Sequence, residues 1–432
     1  MVFRNFDRLV FAVGEGSSPG TAATITTAND FFETIEPTFT ITPLMFERFQ
    51  KSQTLTTQVQ TVPGSAKATP VATCEMSFGI ELAGPGSGVS GGTAPKIDRL
   101  LRACGFAPVT VVKYAATATS YTGGPFFHNE SVDGVSSGGF VSAEAKSFSC
   151  NAFGDAEFLA YSPGGASLGG TTVKSQHSGA ECTVVAAKTD LGVGYVPATA
   201  YTDDTTNTTL TIRMIVGGGG EYVEMKGAKG TFEINFVHGD RVVINFTFTG
   251  VLEEYKDAAV ALPADHSYTA EVPPAWVSTG MKVQEDTSNT AYWETSLFNA
   301  LTLTLGNEVT VREDTNSADG YAHAIITGRA PQLTWNPDAV VSGTYDFWDK
   351  FLAGKPQRMR WTVGTAAGNT IEFRVTSAQF SGIADGDRDS VSILDTTTML
   401  TGGSFGSSII TSGGTPSSST MGADNEFQIL FR

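Results

Sequence analysis

A chain of 432 residues and 45.4 kDa, with 27 Lys+Arg against 44 Asp+Glu, carries a formal charge of −17 and a pI near 4.7. Tight gripping of a nucleic-acid backbone needs clustered Lys/Arg and is excluded on that balance, while 41% hydrophobic residues exclude a disordered acidic polymer. Only 16% of the residues are charged and 48 are Gly, so the surface is weakly charged and rich in Gly and Thr.

No run approaches 18 apolar residues, so no membrane-spanning helix is expected. Near the start, Leu9–Val13 are the longest apolar run, short of the roughly 7–15 that a secretory leader needs. The chain is therefore expected to fold in a cytoplasm. Cys74, Cys104, Cys150 and Cys182 form no C-x-x-C pair and read as reduced thiols, some of them buried.

In chain order, Cys74, Met76, Phe78, Ile80 and Leu82 alternate with small or polar residues, which predicts a half-buried strand. Pro95 to Gly105 predicts a short helix with Ile97, Leu100, Leu101 and Cys104 on one face. Phe232, Ile234 and Phe236 alternate up to a turn at Gly239 and Asp240. Val242, Ile244, Phe246 and Phe248 follow, predicting a long hairpin with one apolar face. Leu301, Leu303 and Leu305, then Val309 and Val311, repeat the pattern. Thr344 to Gly354 predicts a second short helix, with Thr344 as N-cap and Phe347, Trp348, Phe351 and Leu352 on its apolar face. Trp361 and Val363, then Ile371, Phe373 and Val375, predict another strand pair. Low-complexity stretches fall at 84–92, 164–172, 217–220 and 401–422; the last reads as a flexible linker before a strand-like tail, Glu426–Phe431. That tail either pairs with another subunit's sheet edge or frays.

Features recur in one order: G-A-K-G-T-F (Gly227 to Phe232) and F-T-G-V (Phe248–Val251), then G-T-A-A-G-N (Gly364 to Asn369) and F-S-G-I (Phe380–Ile383). This predicts a duplicated, mainly β chain of sandwich or barrel domains, each flanked by one short helix. The first domain takes 1–116 and 202–262, an inserted β-rich surface subdomain 117–201, the second domain 263–400, and the linker and terminal strand 401–432.

Chemical motifs fail on inspection. Gly86-Ser-Gly88-Val-Ser-Gly91 lacks the acidic residue about 20 positions on that a dinucleotide needs. In Gly16-Ser-Ser18-Pro-Gly20, Pro19 cannot donate an oxyanion N–H, and Ser404 in Gly402-Gly-Ser404-Phe-Gly406 has no later His for a triad. Asp385, Asp387 and Asp389 resemble the start of a calcium loop, but Ser390 and Thr396 stand where Gly and Glu belong. Neither an enzyme, a cofactor nor a metal is expected.

The joint order of several pieces resembles the major tail tube proteins of long-tailed, non-contractile bacteriophages. These are G-S-S-P-G-T-A (Gly16–Ala22), T-A-N-D (Thr27–Asp30), G-I-E-L-A-G (Gly79–Gly84), L-L-R-A-C-G-F (Leu100–Phe106), G-A-K-G (Gly227–Gly230), F-T-F-T-G (Phe246–Gly250), I-T-G-R-A-P (Ile326–Pro331) and V-G-T-A-A-G-N (Val363–Asn369). The resemblance covers most of the chain and thins over 117–201 and after 400. It implies a structural virion protein made in the host cytoplasm, whose inner sheets join between subunits around a channel for DNA. The partner is the chain itself, in rings of three if the duplication is real and of six otherwise, stacked into a tube. Other tail proteins are expected at its ends, DNA only in transit, and no membrane. Assembly contacts are expected at Gly227 and Gly230 and along the 232–248 hairpin (Phe232, Ile234, Phe236, Gly239, Asp240, Val242, Ile244, Phe246, Phe248). The acidic turn Asp385, Asp387, Asp389 is expected to face the lumen. The alternative class is a β-rich adhesin or carbohydrate-binding module.

Overall fold

In the computed structural model the described residues are 8–16, 18–25, 30–48, 65–86, 93–116, 131–136, 139–147, 157–161, 172–175, 181–197, 209–216, 221–256, 272–277, 280–285, 293–294, 297–401 and 426–432. They are mainly β, with two six-residue helices. The low-complexity stretches at 164–172 (all but its last residue), 217–220 and 402–422 lie outside them.

The organising feature is a row of eight antiparallel strands. Its order is Ile35–Arg48, Ser65–Glu81, Val243–Lys256, Glu221–Val237, Phe298–Thr304, Gln332–Pro337, Val391–Leu400 and Ile371–Arg388. Within this row a four-strand pattern occurs twice. Each quartet lies in the spatial order first, second, fourth, third by chain position, and each has its helix after the second strand: Asp98–Ala103 in one, Phe347–Leu352 in the other. The long third strand of each quartet also feeds an outer layer. Glu221–Val237 pairs with Leu210–Val216, which pairs with Arg8–Gly14. Ile371–Arg388 pairs with Gln357–Val363, which pairs with Lys282–Glu285.

Period-two alternation dictates what lies between the layers. Cys74, Met76, Phe78, Ile80, Phe232, Ile234, Phe236, Val242, Ile244, Phe246 and Phe248 are all buried. They join one continuous core with Leu301, Leu303, Leu333, Trp335, Trp361 and Phe373 of the second quartet. Phe78 stacks on Phe248 at 5.8 Å, and Phe232 meets Phe246 edge-on at 5.9 Å. Such ring pairs contribute about 0.5–1.5 kcal/mol each beyond the area they bury.

The helices are shorter than the residue pattern predicts. The first begins at Asp98 after a turn closed by Asp98 N donating to the Pro95 carbonyl; Leu100, Leu101 and Ala103 are buried. The second is capped by Asp346, whose side chain accepts from Asp349 N at 2.9 Å, and not by Thr344. With under two turns, only one stripe reaches the sheet. Phe347 is buried and Phe351 packs partly against the core, whereas Trp348 and Leu352, about 100° further round, are 48% and 80% exposed. The F-[TS]-G motif also does not mark equivalent strands. Phe248–Val251 lies on the fourth strand by chain position of its quartet, Phe380–Ile383 on the third.

Strand Phe106–Ala116 pairs with Glu181–Pro197, and further short strands extend this pair. Within this chain the tail is an ordered strand. Phe427–Phe431 fills the gap between Val193–Tyr195 and Ile371–Val375 of its own chain, antiparallel to both.

Candidate assembly surfaces

The row of eight strands has one apolar face against the outer layer and one polar face. Alternation places Thr38, Thr40, Glu75, Ser77, Asn245, Thr247, Thr231, Glu233, Asn235, Thr302, Thr304, Gln332, Thr334 and Thr397 on the latter, all exposed or half-buried. Cross-strand registers turn them into ladders. One runs Asn245, Glu233, Thr304, Gln332, Met399, Gln379; another runs Asn235, Thr302, Thr334, Thr397. Short side-chain bonds hold the rungs. Ser77 Oγ lies 3.1 Å from Thr247 Oγ1, Thr302 Oγ1 donates to Asn235 Oδ1 at 3.0 Å, and Asn235 Nδ2 donates to Glu233 Oε1 at 3.1 Å. Hydroxyl-bearing, β-branched residues suit such a solvated pleated face.

Both ends of the row are open. Among the described strands, Ile35–Arg48 is hydrogen-bonded on one side only, to Ser65–Glu81. Beyond Ala378, Ile371–Arg388 is paired only with Val391–Leu400. Open edges present unpaired main-chain donors and acceptors, which template pairing with another chain.

A second surface forms where a separate hairpin, Asn307–Glu313 with Tyr321–Arg329, folds back over the first quartet. Gly306, at φ 64°, makes the bend; a Cβ there would sit 2.5 Å from the Ala330 carbonyl oxygen. Asn307 then pins the base. Its Nδ2 donates to the carbonyls of Cys104 (2.9 Å) and Gly230 (2.8 Å). Further out, Lys226 Nζ reaches Asp319 at 2.7 Å and Glu253 at 2.5 Å. Gly20 and Gly227 admit the hairpin backbone: a Cβ on Gly20 would lie 2.5 Å from the Ala322 oxygen, one on Gly227 2.8 Å from His323 Cβ. The buried carboxylate of Glu15 locks both glycine loops, accepting from Gly20 N (2.7 Å), Gly227 N (2.6 Å), Thr209 Oγ1 (2.6 Å) and Thr211 Oγ1 (2.9 Å). Gly16–Ala22 and Gly227–Gly230 therefore meet here, against the strand Tyr321–Arg329 whose far end carries Ile326–Pro331. Two others meet on the opposite flank, where Gly84 N donates to Asn369 Oδ1 at 2.8 Å.

The remaining marked residues divide. Gly239 (φ 77°) and Asp240 form the hairpin turn, tied by Gly239 N to the Trp276 carbonyl and by Trp276 N to the Asp240 carbonyl. Asp385 accepts from Ser392 Oγ at 3.1 Å. It lines a cavity of about 370 Å³ with Tyr345 and Trp348, on the helix-covered side of the row. Asp387 accepts from Ser390 N at 2.9 Å, and Asp389, at φ 54°, sits in the turn itself. Among the described residues no three His, Cys, Asp or Glu side chains group as metal ligands. Cys74, Cys104 and Cys182 are free and buried; burial, reinforced by Glu75 and Glu181, pushes the Cys74 and Cys182 thiols up to about 12. Cys150 lies outside the described residues.

Two polar clusters carry no motif. Arg329 grips Glu426 bidentately at 2.8 and 3.0 Å, both side chains nearly buried. Glu372, 2% exposed, faces Arg374 at 2.7 Å, Arg432 at 3.5 Å and Arg360 at 3.9 Å. Burial would raise its carboxyl, but those guanidiniums outweigh it and hold the carboxyl below the usual range.

A family model described as phage tail tube protein matches residues 152–398, more than half of the chain. No curated protein matches it.

Proposed function

The chain belongs to the phage tail tube protein family, a structural component of the virion tail, and from that premise we propose that it self-assembles into stacked rings whose bore conducts the genome at infection. The observation that carries this reading is the unbroken row of eight strands with an open edge at each end. Pairing strand Ile35–Arg48 of one copy with the segment 379–388 of the next repeats head to tail and closes if the rotation allows. Closure removes both edges at once.

We read the two quartets as a duplicated tube domain, so that three chains supply six quartets per ring. The repeated strand order and helix placement support this. The insertion then springs from the paired strands Phe106–Ala116 and Glu181–Pro197 and decorates the exterior, while the helices buttress the ring from outside.

The polar face lines the bore in this arrangement. Among the described residues this wall of hydroxyls carries Glu75 and Glu233, with Arg241 held by Glu81 in an ion pair, so a polyanion meets little net positive charge and slides. Asp387 and Asp389, at the end of their hairpin, fall at the rim. No catalytic role is assigned to any residue. A glycan-binding reading needs aromatic side chains open on a sheet face, whereas Trp276, Trp335 and Trp361 are buried in the core.

Negative-stain microscopy of purified protein should show rings or tubes. A ring mass near 136 kDa, about three times 45.4 kDa, identifies the trimer. Protein that stays monomeric at every concentration, with no tube in the parent particle, rejects the reading.

A further inference from the structure

The terminal strand Phe427–Phe431 occupies a groove built for it. All five of its residues are buried, and both of its edges are paired. Phe427 packs on Phe106 at 5.4 Å and Phe431 meets Tyr195 edge-on at 5.6 Å, while Leu430 points the other way onto Val111, Leu159 and Val196. Gly192 leaves the passage open, since a Cβ there would stand 1.9 Å from the Phe431 oxygen. Ion pairs fix both ends: Glu426 with Arg329, and Arg432 with Glu372. Main-chain bonds of 2.9 and 3.0 Å between Arg432 and Thr370 close the register.

This segment reaches the rest of the chain through residues 402–425, 24 positions of mostly Gly, Ser and Thr. A stretch of that length spans at most about 80 Å. Every contact in the groove is therefore available, unchanged, to the same segment of another copy.

We propose that the groove is a strand-exchange site that accepts the Glu426–Arg432 segment of a second copy of this chain. The contacts being identical, the balance between own and foreign strand is set by effective concentration alone. A tethered strand sees its own groove at roughly millimolar level, and a neighbour's groove matches that only in a packed assembly. Dilute protein therefore keeps its own strand, and assembled protein shares strands between neighbours, which fastens one copy to the next by a contact independent of sheet-edge closure.

The test uses two full-length chains, one carrying T370C and the other R432C, co-expressed, assembled and oxidised, with the unsubstituted chain as background. Thr370 and Arg432 pair directly through their main chains and both are half-buried, so the substitutions leave the apolar core in place; R432C also removes the ion pair to Glu372, whose carboxylate keeps Arg374 at 2.7 Å. Disulfide-linked dimers containing one chain of each kind are expected in the assembled fraction and not in dilute protein. The double variant T370C/R432C should bridge within single chains when dilute, establishing that the pair can form. If it bridges while mixed assemblies give no linked dimers, exchange is refuted. A second pair, R374C with Q428C, is directly opposed in the same strands; failure of both pairs to bridge within one chain refutes the groove itself. Assembly is scored separately by microscopy. Linked dimers in concentrated but unassembled protein would support exchange while counting against the tube reading, so the two failures stay distinct.

Discussion

The ring of Phe236 meets that of Phe373 edge-on, with centroids 5.2 Å apart and planes at 89°. Phe236 lies next to the end of the third strand of the first quartet and Phe373 near the start of the third strand of the second. Trp361 closes the cluster, stacked on Phe373 at 5.3 Å and edge-on to Phe236 at 6.0 Å. The two quartets thus share a core and do not merely adjoin. Phe236→Ala should cost about 3–5 kcal/mol, the range for emptying a buried ring position. Intrinsic fluorescence and far-UV circular dichroism should still report one coincident denaturant transition, at a lower midpoint. Two separated transitions in the unsubstituted protein would show that the quartets unfold independently.

Glu372 gives a pH dependence of definite sign. Its folded-state carboxyl titrates below the unfolded value of about 4.3. Its contribution is therefore fully present above that value and is lost as pH falls through the folded one. Stability should decline from about pH 5 downward. Glu372→Gln should flatten that decline and cost about 3–5 kcal/mol at pH 7, because Arg374 and Arg432 are left without their carboxylate. Denaturant midpoints of both proteins between pH 3 and 7 test this; parallel curves would sink it.

Asn307→Ala removes two bonds from the base of the folded-back hairpin and leaves the carbonyls of Cys104 and Gly230 unpaired. The expected cost is about 1–3 kcal/mol. Amide exchange should rise chiefly within 307–329. Uniformly faster exchange across the whole chain would instead mean that the hairpin does not open by itself.

The buried thiols predict inertness. With Cys74 and Cys182 held up to about 12 and Cys104 pushed up still further by its burial, none is a thiolate at pH 8. A disulfide reagent should titrate at most one thiol per native chain, and all four in denaturant. Rapid reaction of two or more in the native protein would contradict the burial.

On the polar face, Glu75→Lys adds a cation where Glu75 is exposed. Rings should form as before, and phage carrying the substitution should deliver DNA less efficiently, the defect easing as salt screens the new charge. Normal delivery at low ionic strength would place this face outside the bore.

Much of the framework was legible because burial on one face imposes period two. The run from Cys74 to Leu82 and the hairpin from Phe232 to Phe248 announce themselves that way, and the family motifs carry the rest of the identification. Helix extent was less legible. Thr344 and Asp346 are both competent caps, and the helix uses the second, directly before the buried Phe347. The recurrence of features was legible in order but not in register, because F-T-G and F-S-G fall on strands that are not equivalent by chain position. Strand neighbours depend on contacts between distant segments, which local patterns do not encode. The Glu15 lock joins Gly20, Thr209, Thr211 and Gly227 across up to 212 positions, so no spacing rule could find it. Its one local hint is an acidic residue directly before a glycine-rich loop.

The repeated quartet has a consequence for evolutionary freedom. Two quartets on one polypeptide are always present in equal number and in fixed order, so each is free to change without the other. Here only the first quartet's helix is followed by the excursion that begins at Phe106, and only the second helix turns Trp348 outward. In the ring of three proposed above, such chains would keep a bore with near six-fold regularity and an outer surface with three-fold markings, alternating two kinds of landing ground around one smooth conduit.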